Sequence, residues 1–257
     1  MSAVLRSVSY LDFQKICMTV GQAIRVEPNP SASIPAYLIR LCFNELLMAE
    51  HKALYKKDVY TSSAQLCANH TVEEITGERL LTVINFPRKQ IGKNMSDCLI
   101  TGVQKETSNA EEKRASTVFM KPSSQVALGA KVSLLAEDVV FDHNSRDLNW
   151  GEFLTADLRI GTLEEFQDLH PLTGIVNRVL FSINLGELGK RTCIAMLNNE
   201  VSLDSLIGRQ VLVLTNLDPN DKIELFLGSG NESILCTFGG RSVLEPAKIV
   251  ENGFKLA

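Results

Sequence analysis

Short apolar runs broken by Gly, Pro, Asn and Asp recur along the chain, the signature of strands rather than of long helices. Leu80-Leu81-Thr82-Val83-Ile84 and Val211-Leu212-Val213-Leu214 are continuous enough for strands buried on both faces. Tyr37 to Phe43 and Val179 to Leu185 read as a second pair of strands. Ile16 to Val26, and the stretch starting at Ala156, mix apolar and polar residues around a glycine. A glycine inside a long strand marks a bend or bulge, as barrel corners need. One short helix is predicted in each half. Thr71-Val72-Glu73-Glu74 has capping-box spacing with Gly77 as its stop, and Ser202 and Gly208 bracket the equivalent turn.

These paired elements reflect an internal repeat. Asp12-Phe13 through Val20-Gly21 aligns with Glu152-Phe153 through Ile160-Gly161 at an offset of 140. Gly77 to Asn85 aligns with Gly208 to Asn216 at an offset of 131, and Pro122, Gly129 and Lys131 align with Pro246, Gly253 and Lys255 at 124. Order is preserved while the offset drifts, as unequal loops in a tandem duplication would make it. Long bent strand, hairpin, short helix and further strands is the order of an OB-fold, a small Greek-key β-barrel. The sequence therefore predicts an all-β protein of two tandem OB-fold domains with short helices. The first spans residues 1–135 and the second 149–257, with a mixed, acidic linker over 136–148.

Composition adds exclusions. The 257 residues are 45% apolar and 22% charged, ordinary values for a globular protein. No run reaches the roughly 18 apolar residues that a membrane span needs, and Met1 to Tyr10 has no signal-peptide core, so a cytoplasmic protein is expected. The six cysteines are scattered without a Cys-x-x-Cys pair, and the four histidines have no metal-ligand spacing, so neither metal nor cofactor is expected. No Gly-rich phosphate loop, Gly-x-Ser-x-Gly elbow or His-Glu-x-x-His is present, and adjacent pairs such as Glu73-Glu74 read as solvated positions, so no catalytic residues are assigned.

Charge divides the halves. Residues 1–135 carry 16 Lys+Arg against 12 Asp+Glu, a net of +4, whereas residues 136–257 carry 10 against 18, a net of −8. Such asymmetry suggests divided labour. Three cations of the first half concentrate in Asn85-Phe86-Pro87-Arg88-Lys89-Gln90-Ile91-Gly92-Lys93-Asn94-Met95-Ser96, where the second copy has Asn216-Leu217-Asp218-Pro219-Asn220-Asp221.

In the first copy, Asp12-Phe13 through Gly21, Val26-Glu27-Pro28-Asn29-Pro30, Pro35-Ala36-Tyr37, Ser62-Ser63-Ala64-Gln65 and Asn85-Phe86-Pro87-Arg88-Lys89-Gln90-Ile91-Gly92 form a recognisable set. Together they resemble the CsaA-type tRNA-binding domain, one of the structure-specific tRNA-binding OB domains appended to some aminoacyl-tRNA synthetases. The first copy departs from the family in a long hairpin over residues 44–60, which includes His51-Lys52 and Lys56-Lys57. The second copy keeps the framework but has Thr192-Cys193-Ile194-Ala195-Met196 in place of the Ser-Ser-Ala-Gln signature, and acids in place of the basic loop. The resemblance implies a homodimer-forming family, so the second copy would complete an intramolecular pseudo-dimer.

Arg88 offers a planar fork to phosphate, and Lys89 and Lys93 add point charges. Asn85 and Ser96 would reach sugar or base edges, Met95 would pack on a base, and Ser62, Ser63 and Gln65 would complete an RNA-binding face. From composition alone the basic loop reads as a solvated turn. The family signature and the repeat favour tRNA binding by shape and phosphate contact. The alternative is a CsaA-like chaperone or docking module, for a client polypeptide or an aminoacyl-tRNA synthetase, with the apolar loop Ile223 to Leu227 as its contact. Asp218, Asp221 and Glu224 read as a solvated acidic edge, and Trp150 as a packing anchor.

Overall fold

The computed structural model describes residues 7–104, 117–136, 147–171, 176–221 and 232–256. The first half runs α1 (Tyr10–Gln14), β1 (Met18–Pro28), β2 (Tyr37–Cys42), α2 (Glu45–Tyr55), β3 (Tyr60–Ala64), α3 (Val72–Ile75), β4 (Arg79–Val83), β5 (Lys89–Ile91), β6 (Asn94–Ser96), β7 (Leu99–Ile100), β8 (Gly102–Gln104) and β9 (Thr117–Pro122). The second runs α4 (Trp150–Thr155), β10 (Leu158–Pro171), β11 (Val176–Asn184), β12 (Lys190–Asn198), β13 (Gln210–Leu214), β14 (Ser233–Leu235), β15 (Thr237–Phe238) and β16 (Ser242–Pro246).

The second half closes into a five-stranded barrel in the order β10-β11-β12-β14-β13. The first half forms the matching five-stranded sheet, β3-β2-β1-β4-β7. Its edges meet through single hydrogen bonds rather than a ladder: Asp97 N donates to Thr61 O at 2.6 Å, and Ser62 Oγ to Cys98 O at 2.9 Å. The protein is thus all-β, built of two OB-type barrels in tandem. Among the described residues no helix is long and apolar enough to cross a membrane.

The predicted short helix of the first copy is α3, where Thr71 and Glu74 form the capping box. Its counterpart is a single 3-10 turn over Asp204–Leu206. The structure corrects three expectations. Residues 44–60 are not simply a long hairpin: Asn44 accepts from Leu47 N and starts α2, whose Leu47 and His51, one turn apart, turn inward. Helices α1 and α4 open the two copies ahead of their first strands, beyond the one short helix expected in each copy. The irregularity in β1 falls between Ala23 and Arg25, not at Gly21. Gly21 has a different job, since a Cβ there would lie 2.7 Å from the Phe43 ring. Gly161 stands likewise 2.6 Å from Ile183.

Each barrel has its own core, around Ile39, Leu41, Ile75 and Leu80 in the first and Val179, Ile183, Leu206 and Val211 in the second. A third cluster draws the same positions from both copies: Phe13 with Phe153, Met18 with Leu158, Val20 with Ile160, Leu81 with Leu212 and Val83 with Leu214. Strand β4 therefore reads as an unbroken apolar run because Leu80 faces its own barrel while Leu81 and Val83 face the other copy. Backbone pairing follows the same reciprocity. β9 pairs antiparallel with β16, Met120 opposite Pro246, Lys121 opposite Glu245 and Pro122 opposite Leu244. The register is centred on Lys121 and its own repeat equivalent. Val8 N donates to Asn216 O at 2.9 Å, and its equivalent Leu148 N donates to Asn85 O at 2.7 Å.

Candidate nucleic-acid interface

The basic loop folds into a small hairpin of β5 and β6, with Lys89 opposite Ser96, Gln90 opposite Met95 and Ile91 opposite Asn94. Gly92, with φ of +60°, takes the first turn position, where the favoured tight hairpins need positive φ. Any side chain there would also collide with Ser31, whose carbonyl oxygen would lie 2.0 Å from a Cβ. The hairpin is tied to the β1–β2 loop. Lys93 N donates to Ser31 Oγ at 3.0 Å and Asn94 Nδ2 to Asn29 Oδ1 at 3.0 Å.

Asp97 follows β6 and is buried. Its carboxylate takes Arg88 Nε at 2.6 Å, Lys57 Nζ at 3.3 Å and Thr61 N at 3.0 Å. It thereby joins the hairpin, the end of the helical insertion and β3. Arg88 is only 25% exposed, and its guanidinium carbon lies 4.3 Å from the centroid of the Tyr55 ring. His51 stacks on Tyr60 at 3.8 Å, with Nε2 3.1 Å from Val59 O and 3.7 Å from Asp97. Burial lowers its pKa, partly offset by the neighbouring Asp97 carboxylate. A neutral imidazole leaves two full cations to answer one carboxylate.

The expected site residues therefore separate. Lys89 and Lys93 are exposed and take no ion-pair partner among the described residues. Met95 lines an open groove. Arg88 departs from the expected free phosphate fork, because Asp97 already holds its Nε. Ser62 is buried and spends its hydroxyl on Cys98 O, so it is no part of an outward face. Ser96 donates to the same carbonyl at 3.0 Å and accepts from Ser63 N. Ser63 Oγ accepts from Asn29 Nδ2 at 3.0 Å. Gln65 is half-buried. Asn85 has both ends of its amide engaged, accepting from Cys17 N at 3.1 Å and donating to Lys15 O at 2.9 Å. Asn216 repeats this with Asp157 N and Thr155 O, which marks the pair as framework.

The groove, of about 430 Å³, lies between the helical insertion, β2, β3 and the hairpin turn. Arg40, Lys56, Lys57 and Lys93 line it with Leu38, Asn94 and Met95, and Asp58 is among its walls. Sequence reasoning missed Arg40. The signal was its outward place in β2, opposite Thr61. Lys56 and Lys57 stood out in the sequence only as part of the long insertion. The second barrel has an equivalent groove of about 380 Å³, where Ser182 stands in the place of Arg40. Lys190 and Arg191 reach it, but Lys190 is paired to Glu164 at 2.7 Å.

The second copy's acids do more than face solvent. Asp218 N donates to Val8 O at 2.9 Å, and the Asp221 carboxylate accepts from Tyr10 N at the start of α1. The Asp221 carboxylate thus helps hold the entry of the first copy, which corrects the reading of that acid as solvated; Asp218 takes part through its backbone N–H. Ile223 to Leu227 and Glu224 lie outside the described residues. Trp150 is 49% exposed, although its ring meets Phe86 and Phe153 at 5.6 and 5.4 Å. All six cysteines are free, and burial pushes the thiols of Cys98, Cys193 and Cys236 up.

No family model matches the chain. Among solved structures it is similar to the chaperone CsaA from Bacillus anthracis str. Ames, with 23% identity over 49% of this chain and 98% of that one and a TM-score of 0.39. The CsaA chaperone protein of Picrophilus torridus gives 25% identity over 49% and 99%, with a TM-score of 0.38. The C-terminal domain of Plasmodium vivax p43 gives 12% over 72% and 93%, with a TM-score of 0.41.

Proposed function

We propose that this chain is a non-catalytic, cytoplasmic RNA-binding protein that takes structured RNA, tRNA first among it, in the groove of its first barrel. The observation carrying this reading is the convergence of Arg40, Lys56, Lys57 and Lys93 on one open groove, with Lys89 on the adjoining hairpin. Chain segments far apart in sequence deliver these cations to one OB surface, the kind of face and flanking loops that bind nucleic acid. The net charge of the whole chain is −4, yet within a Debye length of about 8 Å the local patch governs. The sequence resemblance narrows RNA to tRNA.

In this reading residues 1–135 are the binding unit, 136–148 connect, and 149–257 serve as a dimer-like partner. The register centred on Lys121 and Glu245, and the exchange of Val8 and Leu148, support an intramolecular pseudo-dimer. Filter binding of bulk tRNA tests the function. Reversal of Lys56, Lys89 and Lys93 to Glu abolishes binding if the groove is the site; unchanged binding rejects it. A docking role, for a client polypeptide or an aminoacyl-tRNA synthetase, draws support from Trp150 and Leu154, exposed one turn apart on α4. Protein capture that survives RNase and is lost in Leu154→Asp would favour it.

A further inference from the structure

We infer that Tyr55, backed by Arg88, is a stacking platform for an unpaired nucleobase, set directly before the Lys56 and Lys57 that line the cationic groove. The inference rests on the RNA-binding reading and names the part of the RNA that the helical insertion would take. Tyr55 is the last residue of α2, is 42% exposed, and its hydroxyl takes no hydrogen bond among the described residues. Among the described residues its ring belongs to no buried cluster; it meets the His51 ring at 5.1 Å and the Arg88 guanidinium at 4.3 Å. A large aromatic held so, without core duty, has its remaining surface open to a planar ligand.

The placement is built. The next residue, Lys56, adopts left-handed geometry with φ of 58°, the one positive φ outside glycine among the described residues. This left-handed residue ends the helix, its N–H donating to Lys52 O at 2.9 Å. It turns the chain sharply, so that Lys56 and Lys57 line the groove directly after the ring. Asp97 then fixes the other layer of the stack, holding Arg88 Nε at 2.6 Å while its guanidinium stays over Tyr55. Asp97 therefore acts as a positioning residue. Aromatic rings and guanidinium planes are the surfaces on which single-stranded bases stack, and flanking lysines suit the phosphates on either side. A fully paired helix has no base to offer, whereas a loop or an unpaired end does.

The test uses the full chain and two probes of equal charge, bulk tRNA and a blunt RNA duplex. Tyr55→Ala lowers affinity for tRNA about tenfold, leaves the duplex unaffected and leaves the salt slope unchanged; Tyr55→Phe retains wild-type affinity. Lys93→Ala weakens both probes and reduces the slope by about one contact. If Tyr55→Ala leaves tRNA affinity intact while Lys93→Ala reduces it, the platform is wrong and the groove stands. Equal loss on both probes also overturns the platform, since it indicates general disturbance. A wild-type chain that binds neither probe overturns the RNA reading and the platform with it.

Discussion

Arg88 Nε lies 2.6 Å from Asp97 Oδ1, and the aspartate side chain is wholly enclosed while the arginine is 25% exposed. Lys57 shares the same acid at 3.3 Å. Removing a partner from a buried pair costs about 3 to 5 kcal/mol. Asp97→Ala should fall near the lower end, about 3 kcal/mol, because Arg88 and Lys57 both retain access to water. It also removes the acceptor of Thr61 N, which joins the edges of the first barrel. Urea unfolding should show the loss as a lower midpoint at unchanged slope.

The same pairing orders the cations by what they can give to a polyanion. Each phosphate contact contributes roughly 0.7 to 0.9 to the salt slope of binding. Among the described residues Lys89 and Lys93 have no acid to leave, so Lys89→Ala and Lys93→Ala should each reduce the slope by about that amount. Arg88→Ala should reduce it less, while costing more stability than either lysine variant. Affinities of bulk tRNA measured across a salt series separate the two outcomes. A larger slope change for Arg88 than for Lys93 would refute the ordering.

Much of this architecture is legible in the sequence, because framework residues recur in both copies. Asn85 and Asn216 match at the end of an apolar strand, and both clamp the preceding short helix by the same two hydrogen bonds. That recurrence was itself the evidence against a binding role for Asn85, since the second copy keeps the asparagine while losing the basic loop. What could not be read were charges whose meaning depends on a distant partner. Asp97 is one acid between a methionine-serine strand end and a cysteine, and nothing local announces that Arg88, Lys57 and Thr61 meet on it. Arg40 looked like one polar position in a strand until the insertion folded beside it. Helix α2 escaped because its inward stripe is only Leu47 and His51, too sparse to stand out within a hairpin.

Lys121 and Glu245 occupy the same place in the two copies and face each other across the β9–β16 junction. Like charges directly opposite on antiparallel strands are destabilising, and opposite charges contribute roughly 0.2 to 1 kcal/mol. Lys121→Glu should therefore lower stability by up to about 1 kcal/mol, with part of the loss due to the 3.8 Å pair with Glu78. Adding Glu245→Lys should recover the cross-strand part. A double-mutant cycle by thermal unfolding measures the coupling; strict additivity would mean that the two side chains do not interact across the strands.

His70 makes the acid sensitivity of the protein predictable in sign. The ring is buried against Phe119, at 4.5 Å between centroids. Burial, with Lys248 adding to it and Glu74 opposing, brings its pKa down from 6.5 to about 4. Between those values the unfolded chain binds a proton that the folded chain refuses, so stability must rise with pH there. The contribution is fully present above about pH 6.5 and is lost as pH falls towards 4, on the order of 3 kcal/mol in total. His51 is shifted in the same direction, by burial, and will leave part of the slope in place. His70→Gln should therefore flatten, without abolishing, the fall in urea midpoint between pH 7 and pH 5. An unchanged pH slope in that variant would show that the native ring titrates as it does in the unfolded chain.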